Sequence, residues 1–167
     1  MSNVQKVILD TDIGDDIDDA LALALICASP ELELLGVTTV FGNVVARARQ
    51  ARTVLAVSGG KFRNIPVAAG CGAGLSTRPA HGVRSRQDFL ENVLPNQDAS
   101  CLPEAELAPL DVRHGVDFLI ETLLAGAGDI VPIMIGAMTN LAMAMVKAPR
   151  IIAKIPRIVA MAGEFHT

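Results

Sequence analysis

Six aspartates, Asp10, Asp12, Asp15, Asp16, Asp18 and Asp19, crowd into ten residues between an apolar strand-like run at 7–9 and a helix-like stretch at 18–29 that Pro30 stops. Core-like sequence on both sides forces this acidic turn against a packed body. Two like charges about 4 Å apart repel by about 4 kcal/mol near a protein surface, so converging carboxylates must take up protons or a cation. A cation is the cheaper solution. The turn offers oxygen ligands and neither Cys nor His, which selects Ca²⁺ or Mg²⁺ over zinc. Helix capping is the plainer explanation, since Asp is favoured at N-caps and in first turns, but it covers two or three of the six and leaves Asp10 and Asp12 without a role. Gly14 suits a sharp bend with positive φ that folds the carboxylates toward one point.

The rest of the chain repeats the strand-then-helix order. Strands are expected at 34–40, 65–69, 130–135 and 155–161, and helices at 43–57, 116–125 and 140–146. In the helix over 43–57, Arg47, Arg49 and Arg52 are expected on the wet side. Residues 70–111 shift to Gly, Pro, Asn, Ser and charge, a long irregular connection of the kind that forms binding loops. This order predicts one α/β domain over 1–167, an open, mostly parallel sheet with helices on both faces. Ligands of such sheets sit beyond the carboxyl ends of the strands, where the Asp turn, Gly42-Asn43, residues 136–140 and Gly163-Glu164 all fall.

Composition narrows the partners. A formal charge of −4 without any Lys/Arg run argues against nucleic acid and anionic membranes, leaving a small molecule. Cys27, Cys71 and Cys101 show neither a CxxC pair nor a disulfide framework, and the N-terminus lacks the apolar stretch of a signal peptide, so a cytoplasmic protein is expected. Apolar runs are too short to span a bilayer.

Asp10-Thr11-Asp12-Ile13-Gly14 followed by Asp18-Asp19-Ala20-Leu21-Ala22-Leu23 resembles the N-terminal signature of the inosine-uridine-type nucleoside hydrolases. The likeness extends to residues 38–43, His81-Gly82, residues 135–142 and residues 159–163, in the family's order. The resemblance implies a Rossmann-like nucleoside hydrolase fold and hydrolysis of the N-glycosidic bond of ribonucleosides to free base and ribose, with a tightly held Ca²⁺. By motif, Asp12, Asp19 and the main-chain carbonyl of Thr139 would hold calcium, and Asp18 would be the general base on the attacking water. Asn43 would meet the ribose hydroxyls, with Met161 near the sugar and His81 in the pocket.

The chain departs from the family pattern in two ways. The usual turn has one residue between the Gly and the Asp pair; here Asp15-Asp16-Ile17 intervene, so Asp16 is the alternative ligand or base. Family members are also nearly twice as long, so the likeness is to their N-terminal half, as in a truncated chain. A non-catalytic metal-binding fragment, or a half-domain completed by a partner, is therefore the alternative. An unpaired sheet edge favours a homo-oligomer. A haloacid-dehalogenase-type phosphohydrolase, with Asp10 as nucleophile, is a lesser one, opposed by Gly14 where that family wants Thr or Val. Single residues have plainer readings too: Asn43 and Thr139 as helix caps, Met161 as core, His81 as a solvated loop residue.

Overall fold

The computed structural model describes residues 4–75 and 86–163. Among these residues, five parallel strands form one sheet in the order β3-β2-β1-β4-β5: β1 Gln5–Thr11, β2 Leu32–Thr39, β3 Val67–Ala69, β4 Ile130–Met134 and β5 Val159–Ala160. The helices are α1 Asp18–Ala28, α2 Val44–Ser58, α3 Arg86–Glu91, α4 Gly115–Ala125 and α5 Thr139–Lys147. Alternation along β1 explains why both faces are covered, because successive side chains point to opposite sides. Val7 and Leu9 join Leu23 and Ile26 of α1 and Ala51 and Leu55 of α2 in one core. Ile8 faces the other way, into Phe118, Leu119 and Leu123 of α4 and Ala144 of α5. Each Val, Leu, Ile or Phe among them, fully buried, contributes about 1.5–3 kcal/mol of transfer free energy.

The chain runs outward from β1 through β2 to β3, then crosses back to place β4 on the other flank of β1. The switch in winding direction therefore lies between the carboxyl ends of β1 and β4, where open α/β sheets bind ligands. The acidic turn leaves β1 at that point.

Several local expectations change. Residues 149–154 form a 3₁₀ segment and β5 shrinks to Val159–Ala160, where the apolar run at 155–161 suggests a longer strand. The expected irregular connection contains α3 and two short 3₁₀ turns. His114, which carries no motif, caps α4 by accepting a 3.2 Å hydrogen bond from the amide of Val116 at Nδ1. The largest correction concerns α2. Arg47 and Arg52 are 4% and 5% exposed, and Arg49 is half-buried, so the expected wet side faces packed loops instead. Arg52 meets the Glu104 carboxylate at 2.7 Å and the Ala108 carbonyl at 2.8 Å, and Arg47 turns into the acidic turn. Among the described residues, no helix is long and apolar enough to cross a membrane.

Candidate metal and substrate site

Asp10, the next-to-last residue of β1, has no exposed surface. Its Oδ2 accepts hydrogen bonds from Thr38 Oγ1 at 2.5 Å and Asn140 Nδ2 at 2.7 Å, while Oδ1 is buried without a hydrogen-bond partner among the described residues. Burial pushes its pKa up to about 7, against the two donors. Asn140 joins three strand ends: Nδ2 also donates to the Thr39 carbonyl at 3.0 Å, and Oδ1 accepts from the Cys71 amide at 2.7 Å. Sequence reasoning gave Asp10 no role here and missed Asn140 and Thr38. The only signal available was an Asn at the head of α5, beside the expected calcium ligand.

Beyond Asp10 the turn divides. Asp19 is buried, its Oδ1 accepting from Thr11 Oγ1 at 2.9 Å, and the same Thr11 oxygen accepts from the amide of Ile13 at 3.0 Å. Burial raises the Asp19 pKa to about 6; Thr11 opposes this, and Asp12, Asp18 and Asp16 add to it. Asp16 and Asp18 are exposed, and carboxylate oxygens of Asp16, Asp18 and Asp19 lie within 4.8 Å of one another, an all-oxygen group able to hold a metal ion. Asp15 is not in this group. Burial pushes its carboxyl up, but the Arg47 guanidinium at 2.7 Å and the Asn96 amide at 3.2 Å outweigh this and hold it below its usual range.

Helix capping does not explain these carboxylates. The N-cap of α1 is Ile17, without a side-chain cap, and Asp18 and Asp19 sit in the first helical turn. Gly14 has φ 129°, as expected of the bend, and a Cβ there would fall 2.5 Å from Gln50 Oε1.

Asp12 is half-buried beside the loop that follows β4. A Cβ on Gly136 would lie 2.8 Å from the Asp12 amide nitrogen and 2.9 Å from its Oδ1, so the missing side chain lets that loop close on Asp12. Burial raises the Asp12 pKa, and the charge of Arg47 opposes the rise. Thr139 is the buried first residue of α5, with Met138 at the N-cap; neither caps through its side chain.

Asn43 is the N-cap of α2, its Oδ1 accepting from the Ala46 amide at 3.0 Å and its Nδ2 donating to the Glu91 carbonyl at 2.8 Å. The plain cap reading is thus correct, and it fixes Asn43 on the same rim as the turn. Met161 is 58% exposed, which overturns the core reading, and its amide donates to the Met134 carbonyl at 2.9 Å. His81 lies outside the described residues.

The sequence profile described as inosine-uridine preferring nucleoside hydrolase matches residues 7–167. The chain belongs to this family. It is 36% identical over 167 residues to the inosine-uridine preferring nucleoside hydrolase of Leishmania major, covering 98% of this chain and 50% of that one. An uncharacterised protein of Schizosaccharomyces pombe is 42% identical over 165 residues, with 96% and 49% covered. Among solved structures, a plant nucleoside hydrolase superposes with a TM-score of 0.73 at 30% identity, covering 97% of this chain and 49% of that one. The inosine-uridine preferring nucleoside hydrolase of Bacillus anthracis gives 0.73 at 27% identity, with 98% and 52% covered. The chain thus spans about half the length of the relatives it matches. Family membership sets aside the phosphohydrolase reading of Asp10.

Proposed function

We propose that this chain carries the calcium-holding part of an N-ribohydrolase that cleaves the N-glycosidic bond of ribonucleosides to free base and ribose. The observation that carries the reading is the convergence of Asp16, Asp18 and Asp19 at the sheet's switch point, beside Asp12, in a member of the nucleoside hydrolase family. An oxygen-only donor set with several carboxylates suits Ca²⁺. Asp12, Asp19 and the main-chain carbonyl of Thr139 are assigned to the ion; Asp16, which approaches Asp18 and Asp19, is the alternative ligand or base. When bound, the ion supplies Lewis acidity toward water and offsets the crowded negative charge.

Asp18, exposed at the positive end of α1, is assigned the proton of the attacking water as positive charge develops on the ribose. Neighbouring carboxylates favour that oxocarbenium-like centre electrostatically. Asn43 is assigned to the ribose hydroxyls, with Met161 and His81 on the sugar side. Such a reaction fits nucleoside salvage, and three free cysteines fit a reducing cytoplasm. We assign residues 1–167 to one α/β unit equivalent to the N-terminal half of the longer relatives, and the exposed edge at β5 to self-association.

The test is base release from inosine or uridine by the purified chain, with Ca²⁺ and after chelation. Calcium-dependent turnover that disappears in Asp18→Asn supports the assignment. The β5 edge, with Val159 48% exposed, favours a second reading: a metal-holding unit that is inactive alone or is completed by a partner. Calcium binding by calorimetry without turnover selects that reading, and absence of both overturns the metal assignment.

A further inference from the structure

Arg47 is a buried cation for which the helix pattern of α2 gives no account. Its guanidinium reaches two loops at once. Nε donates to the Phe41 carbonyl at 2.6 Å, Nη1 to the carbonyls of Asp12 and Ile13, the latter at 3.0 Å, and Nη2 to Asp15 Oδ2 at 2.7 Å. Phe41 is the one non-glycine with positive φ among the described residues, at 67°, a conformation that persists only where its surroundings over-determine it. The guanidinium carbon lies 5.9 Å from the centre of the Phe41 ring. One planar fork therefore fixes the backbone entering the acidic turn and the backbone leading into Asn43. Asp15, its ionic partner, is one of the three residues that stand between Gly14 and the Asp pair where the usual family pattern has one, and it stands outside the group of converging carboxylates.

We propose that Arg47 is a positioning residue that locks the lengthened turn in the register where Asp16, Asp18 and Asp19 converge and Asp15 is drawn away, and that ties this register to the Phe41-Gly42-Asn43 corner. Its geometric part stands on the hydrogen bonds alone; its effect on an ion rests on the calcium reading above. An ammonium cannot replace it, because a point charge on a single stem does not span carbonyls from two loops.

Hydrogen exchange on the 167-residue chain, paired with calorimetry using Ca²⁺ alone, tests the assignment. In Arg47→Met the amides of 12–17 and of 41–43 should exchange about tenfold faster or more, and calcium affinity should fall about 10–100-fold, with no recovery in Arg47→Lys. Arg52→Met removes another buried cation from the same helix and should leave both readouts unchanged. Asp15→Ala, at an exposed position, should loosen 12–17 but not 41–43. Unchanged exchange in Arg47→Met, or equal loosening in Arg52→Met, overturns the proposal, and Asp15→Ala decides alone if Arg47→Met does not fold. A wild-type chain that fails to take up Ca²⁺ sinks the calcium reading, while the exchange data still judge Arg47.

Discussion

The centre and one edge of the sheet's carboxyl rim treat their unusual residues in opposite ways. Around β1, charged and polar groups are interior: Asp10 and Asn140 are 0% exposed, Arg47 4% and Asp19 5%, each with hydrogen-bond partners. Around β5 the apolar groups are outside, with Val159 48% exposed on a strand of two residues and Met161, just after it, 58% exposed. The centre is a hydrogen-bonded network of buried side chains. The edge strand carries apolar side chains, the kind of surface that takes up further protein. Side chains at the centre should therefore control both stability and ion binding, and those at the edge neither.

Asn140→Leu should open the largest gap between centre and edge. It strips one donor from buried Asp10 and leaves the Cys71 amide and Thr39 carbonyl without their side-chain partner, so urea unfolding should show a loss of about 3–5 kcal/mol, as several buried polar groups lose partners at about 1–3 kcal/mol each. A loss no larger than a surface change would break the comparison. Gly136→Ala comes next. Its Cβ would press on the Asp12 backbone, and about 1–3 kcal/mol of strain should appear as a lower unfolding midpoint. Thr11→Val removes the donor to Asp19 and the acceptor of the Ile13 amide at near-constant shape and should cost about 1–2 kcal/mol in the same titration. At the edge, Met161→Lys should change stability by less than about 0.5 kcal/mol. A cost comparable to Gly136→Ala there would show that the β5 edge is structurally occupied, and would erase the distinction.

Much of this rim was legible in the sequence because it follows from period and composition. β-branched apolar runs gave the strands, Pro30 the end of α1, and the strand-then-helix order the parallel sheet. Asp12, Asp18, Asp19, Asn43 and Thr139 all reach the expected rim for the same reason: they follow strand ends. Which carboxylates converge was not legible. That depends on the path of the turn, set by Gly14 at φ 129° and by a guanidinium arriving from another element. Arg47 was misplaced because an Arg among alanines reads as a solvated face, and helical spacing carries no information about a loop folding over that face. An unneutralised acidic turn was itself the missing hint that some cation must turn inward. Met161 failed for a related reason, since an apolar residue at the end of a strand is core only if something covers that strand.

The link between Asp10 and Asn140 also bears on the order in which the molecule assembles. The two residues are 130 positions apart, and both belong to the network that completes the β1 terminus. During synthesis, β1, β2 and β3 are all available before the donor on α5 has been made. Until α5 docks, Thr38 is the one side-chain donor to Asp10 among the described residues, so closing the rim over it leaves a carboxylate desolvated and underbonded. The crossover that brings β4 to the flank of β1 is thus the step that makes the rim's interior electrostatically tolerable. A long-range contact of this kind forms late, after its loop-closure entropy has been met. The candidate metal site should accordingly mature as a last event of folding, once Asn140 is in place.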